Sequence, residues 1–178
     1  MALLPIIVAP DPRLKIKCEA VEEVTKDLRK LAADMLETMY DAPGIGLAAP
    51  QVGVPKRLIV VDVAKGEDEP HPYQMINPEI SWASDELLDY EEGCLSLPEH
   101  YAQVTRPEKI RVSFLDLTGQ PQEIEASGIL ATCIQHEMDH LDGVLFVDHI
   151  SKLRRDLILR KLKKYKAQLP PEKVETHG

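Results

Sequence analysis

With 178 residues, 44% of them hydrophobic and 29% charged, the chain suits one domain with a core of its own and is short for two. A formal net charge of −9 argues against a protein that coats nucleic acid with its whole surface, and no apolar run reaches the roughly 20 residues that span a bilayer. Three widely spaced cysteines, Cys18, Cys94 and Cys133, make no disulfide framework, and with no run of membrane length a cytoplasmic location is expected.

The opening MALLPIIVAPDPRL is apolar but lacks the basic start of a signal peptide, and it reads as an early strand. From Val21 to Tyr40 the residues Val21, Val24, Leu28, Leu31, Met35, Leu36 and Met39 recur at three and four, the stripe of an amphipathic helix. Asp41, Pro43 and Gly44 end it. The stretch GIGLAAPQVGVP then reads as a loop, followed by RLIVVDV, a continuous β-branched run expected of a buried strand. Residues 64–72 form a polar loop. YQMINPEI, the segment around Trp82 to Tyr90, KIRVSFLDL and GQPQEIEAS read as further strands, the last two joined at a Thr118-Gly119 turn. A second helix runs from Ser127 and stops near Gly143. A third, from about 151 to 167, is expected to pack through Leu153, Leu157, Leu162 and Tyr165, and a loose tail, 168–178, follows. Within 152–166 eight Lys and Arg face one acid, Asp156.

The second helix carries CIQHEMDHLDG. Residues four apart on a helix lie about 40° apart around the axis, so His136 and His140 aim at one point with Glu137 beside them. This is the H-E-x-x-H pattern, in which the histidines hold a metal and the glutamate handles protons. A catalytic site of this kind usually takes three protein ligands and leaves one position open. Downstream, an extended metallopeptidase motif would need histidine where Phe146 stands; His149 is off register, and the following helix offers only Asp156. Upstream, Cys94 in EEGCLSLPE is a candidate thiolate, and by spacing alone it is as well read as a small buried hydrophobe. Cys18 and Cys133 are read as core. The expected architecture is therefore α+β, mostly antiparallel sheets packed around a central metal-binding helix, with helices at both ends.

GIGLAA formally matches a dinucleotide fingerprint, but a helix precedes it and Pro50, Gly53 and Pro55 forbid one after it. It reads instead as a loop whose bare backbone at Gly44 and Gly46 approaches a ligand, with Gln51 placed to donate an amide hydrogen bond. Ile129 and Cys133, about two turns and one turn before His136, are placed to wall an apolar pocket with Ile45, and core packing explains both equally well. Asp139 and Arg106 could pair behind the metal helix and steady it.

In order and spacing, GIGLAAPQ at 44–51, EGCLS at 92–96 and QHEMDHLDG at 135–143 strongly resemble the peptide deformylases, over almost the whole chain 1–178 as a single catalytic domain. The basic C-terminal helix resembles the Gram-negative-type branch. The resemblance implies an enzyme that removes the formyl group from the N-terminal formyl-methionine of new polypeptides. It implies Cys94, His136 and His140 as ligands of one divalent metal, Fe2+ first, with Zn2+, Ni2+ or Co2+ accepted. It implies that metal-bound water attacks the formyl carbon while Glu137 takes the proton and passes it to the departing amine, and that Gln51 and the Leu95 N–H stabilise the oxyanion. Ile45, Gly46, Glu92 and Gly93 are implied at the peptide-gripping edge, with Tyr101 standing where many relatives carry arginine. Nascent formyl-Met peptides are the expected partners, and the basic helix 152–166 could dock on ribosomal RNA. A metallopeptidase would share the motif helix but lacks its third ligand here. A metal-stabilised binding module would need a fourth ligand, and the sequence offers none that convinces.

Overall fold

The run RLIVVDV shows how the sequence becomes layers. In the computed structural model, which describes residues 2–169, Leu58–Val61 form strand β2 with all four side chains buried. Alternation across the pleat sends Leu58 and Val60 into one apolar cluster and Ile59 and Val61 into another. The first cluster is closed by helix α1 (Lys26–Asp41) through Leu28, Ala32, Met35 and Met39. The second is closed by helix α2 (Gly128–Leu141) through Ala131, Cys133, Ile134 and Leu141. A strand buried on both faces explains why β2 reads as an unbroken apolar run.

Around β2 stand β1 (Gly46–Ala48), β3 (Tyr73–Ala83), β6 (Lys109–Leu115) and β7 (Pro121–Ser127), in the order β1-β2-β3-β6-β7. β4 (Leu87–Cys94) and β5 (Leu97–Pro107) make a separate two-stranded sheet. Every strand pair is antiparallel. Two-stranded hairpins are marginal alone, and this one is backed by a third cluster. In it Leu97, Ala102 and Val104 of β5 meet Ile7 and Leu14 of the N-terminal segment, Phe146 and Val147, and helix α3 (Lys152–Ala167).

Several expectations need correction. The apolar opening is no strand. Pro5, Pro10 and Pro12 lack the N–H a ladder needs, and the segment is instead tied by single bonds, such as Ile7 N–H to the Gln51 carbonyl and Ala9 N–H to that of Ser96, both 2.8 Å. Helix α1 begins at Lys26 rather than Val21, because the Thr25 hydroxyl caps it by accepting the Leu28 N–H. The GIGLAAPQ stretch is not wholly loop, since Gly46–Ala48 pair with Val61–Ile59 as β1. β5 has no counterpart in the sequence reading: its buried face is Ala102, Val104 and Arg106, a small residue and a charge that mask the alternation. The buried face of α3 is Ile158 and Leu162, while Leu153 is 81% exposed and Leu157 and Tyr165 are exposed with it. Of the expected tail, Gln168 and Leu169 close α3 and 170–178 lie outside the described residues. No helix among the described residues is long and apolar enough to cross a membrane.

Candidate metal centre

Helix α2 brings His136 and His140 to one face, and the end of β4 brings Cys94 against them. The Cys94 sulfur and one nitrogen of each histidine lie within 4.8 Å of one another, with Cys94 Sγ 3.4 Å from His140 Nε2. The histidine rings stand edge to face, centroids 5.1 Å apart. His136 Nδ1 lies 2.9 Å from Glu92 Oε1. A carboxylate there accepts the hydrogen bond of an Nδ1–H, leaving the Nε2 lone pair for a ligand. One thiol and two imidazoles are a borderline-soft set suited to a divalent transition ion, and three donors leave a position open. The residues present therefore fit a metal.

Behind His136 a charged network is fully built. Glu92 accepts two bonds from Arg106, from Nε at 2.7 Å and Nη2 at 3.0 Å, and Arg106 Nη1 donates to Asp139 Oδ2 at 2.9 Å. His149 Nε2 reaches the same Asp139 oxygen at 2.8 Å. Burial alone would raise the Glu92 carboxyl, but hydrogen bonds from His136 and Arg106 bring it down to about 2. The Asp139–Arg106 pair expected from the sequence is present. What the sequence did not indicate is Glu92 as the link from that pair to His136. Glu92 was expected to bind substrate, but its carboxylate is spent inside the protein, so only its backbone is left to meet a peptide.

Glu137 is different. It is buried, its Oε1 has no hydrogen-bond partner among the described residues, and Oε2 lies 4.0 Å from His136 Nε2. Burial pushes its carboxyl up to about 7, despite the opposing pull of His136. The two imidazoles are moved apart. Burial works against charging both, but nearby Glu137, Cys94 and Glu92 hold His136 well above the usual histidine value. His140, with His136 beside it, falls well below. Burial also raises the Cys133 thiol strongly, which keeps it a neutral wall group.

The site opens into a cleft of about 410 Å³ lined by Ile45, Gly46, Gln51, Gly93, Leu95, Tyr101, Ile129 and Cys133 among others. Ile129 walls the cleft, and Cys133 does so while also packing in the core. Gly46 has no room for a side chain: a Cβ would lie 2.5 Å from Glu137 Oε2 and 2.8 Å from Cys133 Sγ. Gln51 is buried; its Oε1 accepts the Ala48 N–H at 2.9 Å, and its Nε2 lies 3.0 Å from Ser96 Oγ and 3.5 Å from Cys94 Sγ. Ser96 was missed by the sequence reading, as were Tyr90, Glu91, Glu99 and Thr132 on the cleft wall. None carries a signal of its own, and only the fold brings them there.

Comparison with known proteins agrees along nearly the whole chain. The family model described as polypeptide deformylase matches residues 3–156. A peptide deformylase of Mesorhizobium japonicum is 54% identical over 174 residues, 98% of this chain and 99% of that one. That of Methylocella silvestris is 58% identical over 167 residues, 92% of this chain and 85% of that one. Among solved structures, the Ehrlichia chaffeensis peptide deformylase in complex with actinonin superposes with a TM-score of 0.89 at 44% identity, covering 93% of this chain and 98% of that one. The Legionella pneumophila peptide deformylase gives 0.87 at 45% identity, covering 95% and 100%.

Proposed function

Since the chain belongs to the polypeptide deformylase family, metal-dependent hydrolases acting on N-formyl-Met peptides, we propose that Cys94, His136 and His140 hold its metal and that Glu137 moves the proton in deformylation. The observation that carries this reading is the buried Glu137 carboxyl, unpartnered at Oε1 and set beside the three donors at the floor of the cleft. A divalent ion bound there, Fe2+ in our reading and replaceable by Zn2+, Ni2+ or Co2+, supplies Lewis acidity toward water and the formyl group.

The remaining work falls to the chain. Glu137, raised to about 7 by burial, takes the proton from the attacking water as the formyl carbon becomes tetrahedral, then hands it to the amine nitrogen as the C–N bond breaks. Formate and a free amino terminus leave. Gln51 Nε2 and the Leu95 N–H donate to the formyl oxygen as charge grows on it, and one such donor is worth about 3–4 kcal/mol in comparable sites. Glu92 and Arg106 orient His136.

The peptide itself lies between two sheets. β1 is the outer strand of the five-stranded sheet and β4 has β5 as its one neighbour, so each offers an unpaired edge toward the cleft, at Ile45–Gly46 and at Gly93. An extended peptide adds there as a strand, with its methionine among Ile45, Ile129 and Cys133. In this reading residues 1–178 form one catalytic domain whose sheets pack around the metal helix α2. It acts on nascent chains in the cytoplasm, and the basic face of α3 docks on the ribosome with steep salt dependence.

The test is mass spectrometry of a formyl-Met peptide incubated with protein prepared without oxygen and loaded with Fe2+ or Ni2+. Loss of the formyl group alone is expected. Internal cleavage would point to a peptidase, and an intact peptide with metal confirmed in the protein would overturn the reading.

A further inference from the structure

The β4–β5 hairpin turns in two residues. Cys94 pairs with Leu97, so Leu95 and Ser96 alone make the turn, directly after the third ligand proposed. Leu95 supplies the backbone N–H assigned to the formyl oxygen. Ser96 is fully buried, and its hydroxyl has no task in the mechanism so far.

That hydroxyl meets Gln51, which arrives from a distant part of the chain, on the short helical turn Ala49–Val52 that follows β1. The Gln51 amide is fastened at both ends. Its Oε1 accepts the Ala48 N–H at 2.9 Å, which decides which end of the amide is the oxygen. Its Nε2 donates to Ser96 Oγ at 3.0 Å. A planar amide nitrogen carries two protons, so with one held by Ser96 the other is aimed at the metal centre, where Cys94 Sγ lies 3.5 Å away. The two backbones are held by one strap as well. Ile7 N–H donates to the Gln51 carbonyl and Ala9 N–H to that of Ser96, each at 2.8 Å, and Ile7 and Ala9 are themselves fully buried. A side-chain bond between backbones already fixed gives up little freedom on forming. An oxyanion donor is effective because its direction is set before the charge develops.

Building on the deformylase reading, in which Gln51 Nε2 donates to the formyl oxygen, we propose that Ser96 is a positioning residue whose hydroxyl holds one Nε2 proton so that the other points at that oxygen. A single two-residue turn then sets both donors in register with Cys94, Leu95 by its own N–H and Gln51 through Ser96. In this arrangement Ser96 acts only through Gln51.

The experiment compares the parent, Ser96→Ala, Gln51→Leu and the double variant, each loaded with Ni2+ and assayed for formate from formyl-Met-Ala-Ser, with metal content read by atomic absorption. Gln51→Leu removes the donor and should lower kcat by about 10²–10³. Ser96→Ala should lower kcat about tenfold with KM within about twofold and metal content unchanged, the split that marks an interaction made in the transition state. In the Gln51→Leu background the same change should cost less than about twofold, because the group it positions is gone. A tenfold loss in both backgrounds, no loss in either, or metal lost from Ser96→Ala overturns the inference and leaves deformylation standing. No formate from the metal-loaded parent overturns the deformylase reading and this inference with it.

Discussion

His136 and His140 stand one turn apart on α2, yet the protein treats the two sides of the site in opposite ways. On the His136 side every polar group is answered: Nδ1 by Glu92, Glu92 by Arg106, Arg106 by Asp139, and Asp139 by His149. On the other side Glu137 Oε1 and His140 Nδ1 are buried with no hydrogen-bond partner among the described residues. Unanswered buried polar atoms cost roughly 1–3 kcal/mol each, and a fold keeps them where a reaction needs them free. In the proposed mechanism the braced side fixes a metal ligand in place, and the unanswered side is where the proton moves.

The sharpest way to break this comparison is Glu137→Gln. The amide keeps the shape and removes the base, so metal content measured by atomic absorption should be retained while kcat falls by about 10²–10⁴. Turnover near that of the parent enzyme would sink the proton role. Because a carboxyl at about 7 is replaced by a group that does not titrate in this range, any residual rate should also lose its rise with pH through that region.

Next in size is Arg106→Ala, which attacks the braced side. Removing one partner of a buried pair typically costs about 3–5 kcal/mol, because it leaves the other charge buried and unanswered, and losing a group that orients a ligand lowers metal affinity about 10–100-fold. Urea unfolding and competition with a chelator measure the two effects. The pH dependence follows from Glu92, whose folded value of about 2 lies below its ordinary 4.5. A depressed carboxyl stabilises the fold above pH 4.5 and loses that contribution as pH falls toward 2. The metal-free parent should therefore weaken across this window, and the variant, already weaker at pH 5, should lose less within it. Normal metal retention in the variant would remove the positioning role from Arg106.

What the sequence made legible divides along the same line. The H-E-x-x-H helix, the buried run of β2 and the polar loop at 64–72 announce themselves through period and composition, because each is decided by residues near in sequence. Cys94, the third ligand proposed, is ambiguous by spacing alone, since β4 sets its position and not its distance along the chain from His136. Glu92 was legible as part of a motif but not in its task, because its partner Arg106 sits on β5, a strand whose buried face holds alanine and a charge instead of an apolar stripe. The apolar opening has the hydrophobicity of a strand, but its prolines lack the N–H donors that a ladder needs. The face of α3 is legible only at Leu162: Leu153 and Leu157 fit the helical period as well as Ile158 does, and the choice between them is made by Phe146 and Leu14 in the cluster below.

The smallest expected effect asks how far the brace reaches. His149 is 37% exposed at its side chain and shares with Arg106 one oxygen of Asp139. Asp139 keeps its bond to Arg106 whether or not His149 is there, so His149→Gln removes an outer contact without freeing a buried charge. An exposed pair of this kind is worth up to about 1 kcal/mol. Stability should fall by no more than that, and chelator competition should read close to the parent enzyme. A loss of metal affinity as large as that of Arg106→Ala would mean that the brace ends at the surface rather than at Arg106. His136 would then be held by a chain open to solvent at its far end, and the contrast between a closed side and an unanswered side would have to be redrawn.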